Sequence, residues 1–241
     1  MLFRSTRAVL RLQPRLPAKI TALCALHDFD AAVALLQALR SGLGGALSAF
    51  EAMWASYVHY VLKHGSGVQS PFDREYPLYA LIEVEGTDDA GERARLETVL
   101  EAALGEGVVA DAAIAQSLRE AQGFWKIRDS IGDVTPTLQP MLAFDVSLPI
   151  DAMPGFLARV DAEFARWPNP VTNLVFGHIG DSNLHLSVSI GHPTPAEQRE
   201  VDDIVYDAVR RWRGSVSAEH GIGTLDRKST RLNSSHITIS Y

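Results

Sequence analysis

The chain has 241 residues, of which 46% are hydrophobic and 21% are charged, and its formal net charge at pH 7 is −7. This composition is ordinary for a globular enzyme with a sizeable core. The negative balance argues against a nucleic-acid partner, because nucleic-acid binders need a basic surface. The single cysteine, Cys24, excludes a disulfide framework within the chain, and its apolar neighbours predict that it is buried.

No run of about 18 uncharged apolar residues occurs, so the sequence predicts no transmembrane segment. The first 27 residues carry five basic side chains and no acidic one, which is a feature of mitochondrial transit peptides. Serine is scarce there, and Pro14 and Pro17 interrupt any helix. We therefore do not interpret this segment as a transit peptide.

Hydrophobic periodicity predicts an alternation of strands and helices along the chain. The predicted strands lie near residues 18–25, 45–50, 78–84, 107–112, 143–148, 171–177, 184–190 and 214–218. The predicted helices lie near residues 29–41, 53–63, 88–104, 116–131, 151–166 and 195–212. The order from residue 143 onward is β-α-β-β-α-β, and the stretch 18–112 reads β-α-β, a helix, then β-α-β. We therefore predict an α+β fold with ferredoxin-like halves forming a large antiparallel sheet with helices mainly on one face.

Two of the predicted helices begin at residues that favour helix starts. Thr194 precedes Pro195 and lies three residues before Glu197, which is the pattern of a capping box with proline in the first turn. Asp151 is the predicted N-cap of the helix that follows it.

The clearest functional pattern is the segment Gly177–His185, which reads GHIGDSNLH. Two predicted strands flank turn-forming residues, so we expect His178 and His185 to face each other where the strands meet. Opposed Cβ atoms in an antiparallel pair are about 5 Å apart, which suits two imidazoles on one metal ion. The alternative is that one or both histidines form hydrogen bonds within the loop.

A second pattern follows the last predicted strand, in the segment Ser217–Gly223. Glu219 would complete a His₂Glu ligand set with open positions for a substrate, and His220 would be left for proton transfer. Glycines after these residues allow a tight turn and close approach of a ligand. The alternative is an ordinary turn that exposes Glu219 and His220.

A third signal is a charge on the apolar side of the predicted helix 116–131. At about 100° per residue, Arg128 falls near the middle of the apolar arc. A buried cation needs a partner, which here is either a substrate carboxylate or a structural acid such as Asp145. Asp145 itself interrupts an apolar strand, which indicates an acid with a partner.

These segments resemble the signature motifs of the FAD-linked oxidase C-terminal domain family, which includes D-lactate dehydrogenase, the flavin subunit of glycolate oxidase and D-2-hydroxyglutarate dehydrogenase. Supporting matches run in the family's order from about residue 8 to Lys228, at Ser48–Glu51, Phe124–Arg128 and Phe144–Pro149. The resemblance implies the substrate- and metal-binding half of an FAD-dependent D-2-hydroxyacid dehydrogenase. Such an enzyme oxidises a 2-hydroxyacid to a 2-oxoacid and passes electrons to a quinone, a cytochrome or an electron-transfer flavoprotein.

The resemblance also implies roles for individual residues. A divalent ion, zinc or manganese, would be bound by His178, His185 and Glu219, and would lower the pKa of the substrate hydroxyl. His220 would be the base that takes the hydroxyl proton. Arg128 would hold the substrate carboxylate.

The resemblance further implies FAD contacts at Asn183 and Gly221. Three positions depart from the family pattern. Ser182 replaces a common loop glycine, and Ala143 and Ser187 stand where some members have lysine and asparagine. The last two departures remove groups that could hold a second substrate carboxylate.

The resemblance implies the first domain boundary, and the serine-rich composition of Ser229–Tyr241, without acidic residues or glycine, indicates a separate tail. We expect residues 1–16 to be the remnant of the end of an FAD-binding domain, residues 17–228 to be the C-terminal domain, and residues 229–241 to be a non-native tail. We expect a cytoplasmic protein or one that is peripheral at the inner membrane, with a dimer as one expected assembly. The alternatives are a stand-alone metal-dependent hydrolase and a non-catalytic metal-binding module.

Overall fold

The structure is a computed structural model that describes Val9 and residues 16–219. The expected tail 229–241, and the expected remnant apart from Val9 and Leu16, lie outside these residues. The strands are β1 (Ala18–Leu26), β2 (Leu47–Trp54), β3 (Leu78–Gly86), β4 (Asp111–Ile114), β5 (Leu142–Ser147), β6 (Thr172–Gly177) and β7 (Asn183–Ser189). The helices are α1 (Phe29–Leu43), α2 (Ala55–His64), α3 (Asp89–Gly105), α4 (Leu118–Asp129), α5 (Ile131–Val134), α6 (Met153–Phe164) and α7 (Pro195–Arg211).

All seven strands form one antiparallel sheet in the order β4-β1-β3-β2-β6-β7-β5. The strands β1 to β4 form the first half of the sheet, and β5 to β7 form the second. The strand predicted at 214–218 is reduced to a single bridge, Ser215 to Ser147, which extends the edge beside β5 much as β4 extends the edge beside β1. The halves meet where β2 pairs with β6, at Ala52 with Gly177 and Met53 with Phe176. The predicted α+β fold with a large antiparallel sheet is confirmed.

Each face of the sheet carries its own apolar core. On one face, side chains such as Ile20 and Leu26 pack with α1, α3, α6 and α7. On the other face, Leu23 and Leu81 pack with the shorter α2, α4 and α5. Beside β1 and β3 both faces are covered, so almost every residue of these two strands is buried. Cys24 is fully buried, as expected, and burial raises the pKa of its thiol to about 12.

Local sequence signals predicted one helix start correctly and one wrongly. The capping box of Thr194 and Glu197 is present at the start of α7. Asp151 does not cap α6, because it lies in a 3₁₀ turn at Ile150–Ala152 and Ala152 occupies the cap position. Pro154 then falls in the first turn of the helix, a position that proline favours.

The single helix predicted at 116–131 is divided. Helix α4 ends at Asp129, and the short α5 begins at Ile131. The hydroxyl of Ser130 donates a hydrogen bond to the Lys126 carbonyl at 2.6 Å. Such back-bonding by serine often bends helices. No helix in the described part of the chain combines the length and the apolar character needed to cross a bilayer.

We expect Gly177→Ala to destabilise the second half of the sheet, where the end of β6 lies against the start of β7. A Cβ at this position would collide with the Asn183 carbonyl oxygen and lie 2.9 Å from the Leu184 Cα, so the backbone would have to shift. The free energy of unfolding should fall by about 1–3 kcal/mol, measured by urea denaturation. Gly105→Ala is the control, since a Cβ there meets nothing within 4 Å. Equal urea midpoints for the two variants would contradict the close approach.

Candidate functional site

A cavity of about 740 Å³ opens on the sheet face that carries α4 and α5. Most of this face lies opposite the layer of α1, α3, α6 and α7, but the cavity also reaches Tyr206 of α7 near the edge strand β5. Side chains that line the cavity include Arg128, Asp145, Phe176, His178, His185, Ser187 and Glu219. Both halves of the fold therefore contribute polar groups to one space.

His178, His185 and Glu219 come together at this cavity. Each offers one ligand atom, and these atoms all lie within 4.8 Å of one another. Ligand atoms held about 2.1 Å from one ion are at most about 4.2 Å apart, so a small inward rotation of the side chains would close the set. A His₂Glu set of this kind suits a divalent ion and leaves open positions.

The two histidines are close, but they are not directly opposed as predicted. His185 pairs with Phe176, and His178 lies just beyond the end of β6. A 3₁₀ turn at Ile179–Asp181 returns the chain to β7, and the two imidazole rings meet edge to face with centroids 5.4 Å apart. The turn geometry, not strand register, therefore sets their separation.

The carboxylate of Glu51 connects the histidine cluster to Arg128. Its Oε1 accepts a hydrogen bond from His178 Nδ1 at 2.6 Å, and its Oε2 accepts one from Arg128 Nε at 2.7 Å. A carboxylate only accepts when ionised, so Nδ1 carries the proton and Nε2 faces the ligand position. Sequence reasoning noted Glu51 only within a supporting match. The available signal was an acid inside an apolar strand, the same signal that marked Asp145.

Charges and burial set the protonation of this cluster. Burial raises the pKa of Glu51, but the hydrogen bond from His178 and the charge of Arg128 outweigh it, so the pKa lies below its ordinary value. The hydrogen bond to Glu51 raises the pKa of His178. Burial lowers the pKa of His185, with Asp145 acting in the opposite direction. The two pKa shifts run in opposite directions, so His185 is the more readily neutral of the two imidazoles, and the neutral form is the one that binds a metal ion.

Arg128 is largely buried on the apolar side of its helix, as predicted, and its nearest acidic partner is Glu51 rather than Asp145. Its side chain is 13% exposed, and its guanidinium lies 4.8 Å from the centre of the Phe176 ring. The hydroxyl of Tyr57 donates to the carbonyls of Ile127 and Arg128 at 3.0 and 2.6 Å, which fixes the end of α4. Glu51 uses the Nε group, Nη1 lies 3.9 Å from Asp129 Oδ1, and Nη2 is 3.4 Å from His178 Nε2. The outer edge of the guanidinium can hold a carboxylate at the cavity.

Asp145 positions the segment that carries Glu219. Its Oδ2 accepts the backbone N–H of Glu219 at 2.8 Å, and its backbone oxygen accepts the N–H of Ala218 at 3.1 Å. Across the pairing of β5 with β7, Asp145 stands opposite His185, with Oδ1 3.5 Å from Nδ1. The prediction that Asp145 has partners is therefore confirmed.

The expected cofactor contacts are only partly within the described residues. Asn183 is 1% exposed, and neither atom of its amide has a hydrogen-bond partner among the described residues. Such a group is costly unless something beyond those residues satisfies it. Ser182 adopts a left-handed conformation with φ of 61°, where glycine is favoured. His220 and Gly221 lie outside the described residues.

Comparison with known proteins identifies the family to which this chain belongs. The family model for FAD linked oxidases, C-terminal domain, matches residues 15–240. The chain therefore belongs to the FAD-linked oxidase family through this domain.

Among individual relatives, D-2-hydroxyglutarate dehydrogenase of Stutzerimonas stutzeri is 33% identical over 242 residues, covering 97% of this chain and 50% of that protein. The probable mitochondrial D-2-hydroxyglutarate dehydrogenase of Oryza sativa subsp. indica is 32% identical, covering 91% of this chain and 39% of that protein. The chain thus spans between two-fifths and half of the length of these relatives.

Solved structures support the fold alone. An alkyldihydroxyacetonephosphate synthase superimposes with a TM-score of 0.60 at 12% identity, covering 85% of this chain and 41% of that chain. A p-cresol methylhydroxylase superimposes with a TM-score of 0.53 at 10% identity, covering 85% of this chain and 46% of that chain.

We expect Arg128→Met to lower the free energy of unfolding by about 3–5 kcal/mol, because it leaves the buried Glu51 carboxylate without its cation. The free energy of unfolding should fall less in the combined Glu51→Gln and Arg128→Met variant than the two single variants predict when their effects are added. Urea denaturation measures both. Arg119→Met is the control, since Arg119 is exposed on the same helix. Similar decreases in the free energy of unfolding for the Arg128 and Arg119 variants would show that the contact with Glu51 contributes little to stability.

Proposed function

We propose that this chain is the substrate- and metal-binding domain of an FAD-dependent 2-hydroxyacid dehydrogenase. The observation that carries the proposal is the His₂Glu cluster of His178, His185 and Glu219 beside the guanidinium of Arg128 in one cavity. A 2-hydroxyacid presents a hydroxyl and a carboxylate on adjacent carbons, which matches these two neighbouring groups. The names of the D-2-hydroxyglutarate dehydrogenase relatives support the same reaction class.

The donor set fits a resident divalent ion, zinc or manganese. Histidine ligands commonly donate their other N–H to a carboxylate, and here Glu51 receives His178 while Asp145 faces His185. When bound, the ion supplies Lewis acidity toward the hydroxyl oxygen, and FAD accepts the hydrogen and electron pair removed from C2. Asn183 and Gly221 are the FAD contacts that we assign to this chain.

The protein's own groups bind and orient the substrate and move its proton. Arg128 holds the carboxylate through its terminal amino groups, and Glu51 and the ring of Phe176 fix the guanidinium. His220, the neighbour of Glu219 in sequence, is the proposed base for the hydroxyl proton.

The proposal extends to the surroundings of the enzyme. Electrons would pass to a quinone, a cytochrome or an electron-transfer flavoprotein, and the protein would act in the cytoplasm or at the surface of the inner membrane, with a dimer as one assembly. The competing function is a metal-dependent hydrolase, because a His₂Glu set also activates water. Arg128 and membership in the FAD-linked oxidases favour oxidation.

We expect the full-length protein that contains this chain, loaded with FAD and zinc or manganese, to lose the absorbance of oxidised flavin when mixed anaerobically with a D-2-hydroxyacid. His178→Ala and His185→Ala should lose bound metal and slow this reduction by about 10²-fold or more. His220→Ala should slow turnover by about 10²–10⁴-fold and keep the metal.

His192→Ala is the control for the histidine variants, because His192 is exposed after β7. It should keep both the metal and the rate of reduction. Hydrolysis of esters or amides without any reduction of flavin by 2-hydroxyacids would favour the hydrolase. Bound metal that survives both His178→Ala and His185→Ala would remove these residues from the site, and metal loss in His220→Ala would make His220 a ligand.

We expect Glu51→Gln to weaken zinc binding by about 10–100-fold, although Glu51 is not a ligand, because the amide holds His178 less firmly. Competition with a chromophoric chelator on the 241-residue chain measures this affinity. Glu83→Gln is the matched control: Glu83 is also a buried acid, on β3, and it is paired with Trp125 and Lys19 instead. Equal affinities for the two variants would argue against a positioning role for Glu51.

A further inference from the structure

The 3₁₀ turn between the two histidines of the cluster is attached to helix α1. The turn spans Ile179–Asp181 and follows His178 directly. The side chain of Ile179 is fully buried in the core to which α1 belongs. The carbonyl oxygen of Gly180 accepts a hydrogen bond from Arg40 Nη2, in the last turn of α1, at 3.1 Å. A helix that contributes no residue to the metal cluster therefore holds the turn beside it.

The backbone of His178 is part of the same turn. Its carbonyl oxygen accepts the N–H of Asp181 at 2.9 Å and the N–H of Asn183 at 3.2 Å. His178 thus stands at one end of the turn, and β7, which carries His185, begins at the other. A shift of the Gly180 peptide would rotate His178 relative to His185. The ligand atoms of the cluster lie within 4.8 Å of one another, so a small rotation decides whether they can share one ion.

Open space beside the turn gives this hydrogen bond more weight. A cavity of about 270 Å³ lies between the turn, α1 and the first half of β2. Leu36 and Arg40 line it from α1, and Gly180 and Asp181 line it from the turn. Packing is incomplete on this side, so a polar contact across the gap restrains the turn more than it would in a filled core.

The glycine at position 180 fits the same arrangement. Gly180 lies inside the 3₁₀ turn and does not have a positive φ, so its backbone conformation does not require glycine. A Cβ at this position would lie 3.2 Å from Arg40 Nη2 and 3.9 Å from Leu36 Cδ2. The missing side chain therefore leaves room for the guanidinium to reach the carbonyl.

We propose that Arg40 is a positioning residue of the metal centre, which fixes the turn after His178 through the Gly180 carbonyl and so raises the affinity for the ion. This inference rests on the proposed function, because it requires that the histidines bind a divalent ion. Arg40 touches neither the ion nor the substrate. Its role differs from that of Glu51, which holds the imidazole of His178 directly, since Arg40 acts on the backbone that carries this imidazole.

The test measures zinc affinity by competition with a chromophoric chelator on the full-length protein. Arg40→Met should weaken zinc binding by about tenfold, because the variant lacks a charged hydrogen bond that holds the turn. Arg40 is exposed, so the variant should fold. Arg40→Lys keeps a cationic donor and should recover most of the affinity. Arg93→Met is the matched control and should bind zinc as the unaltered protein does, because Arg93 Nη2 donates to the Ala115 carbonyl at 2.9 Å, next to the edge strand β4.

A second variant separates the position of the turn from general stability. Gly180→Ala should weaken zinc binding to a smaller extent by pushing the guanidinium away, and should have little further effect when combined with Arg40→Met. Unchanged zinc affinity in Arg40→Met, with or without a lower urea midpoint, would overturn the inference. Effects of the two variants that simply add would also overturn it. Failure of the unaltered protein to bind zinc or manganese would instead overturn the metal site of the proposed function.

Discussion

Glu51 lies on β2, the strand at which the first half of the sheet meets the second, and its two oxygens hold groups from different parts of the chain. One oxygen receives Arg128 from α4, and the other receives His178 from the turn after β6. The position of the guanidinium and the direction of the imidazole thus depend on a single buried carboxylate. Without it, Arg128 would be a buried cation next to two histidines, an arrangement with a high electrostatic cost.

The same carboxylate explains how a cationic site is tolerated next to an apolar core. Phe176, Tyr57 and Leu174 belong to the core on this face, and the polar groups stand at its border. The lowered pKa of Glu51 keeps it ionised, and its negative charge in turn raises the pKa of His178. Arg128 thus favours the ionised form of Glu51, and Glu51 favours the protonated form of His178. Charged groups can therefore lie together in the cavity with little exposure to solvent.

Local patterns predicted most of the helices and strands and the ferredoxin-like order, because apolar periodicity and turn residues depend on neighbouring residues. The strand predicted at 214–218 is only a single bridge, and the helix predicted at 116–131 is divided. Local patterns also predicted the buried side of Arg128 and the partnered Asp145. The partner of Arg128 could not be chosen, because Glu51 is 77 residues away and is brought near only by sheet pairing. The relation of His178 to His185 was misjudged, since a 3₁₀ turn rather than a tight hairpin joins β6 to β7. The cap at Asp151 failed for a similar reason, because a second 3₁₀ turn delays the start of α6.

The junction between the halves consists of two residue pairs of β2 and β6, and the contact from Glu51 to His178 spans 127 positions of sequence. Contacts this distant form only after the intervening chain has organised, so they come at a high entropic cost in folding. A one-residue slip between β2 and β6 would turn the partners to opposite faces. An ion that binds only the correctly aligned chain would therefore shift the folding equilibrium toward the native alignment. The ion would then stabilise the fold in addition to its role in the reaction.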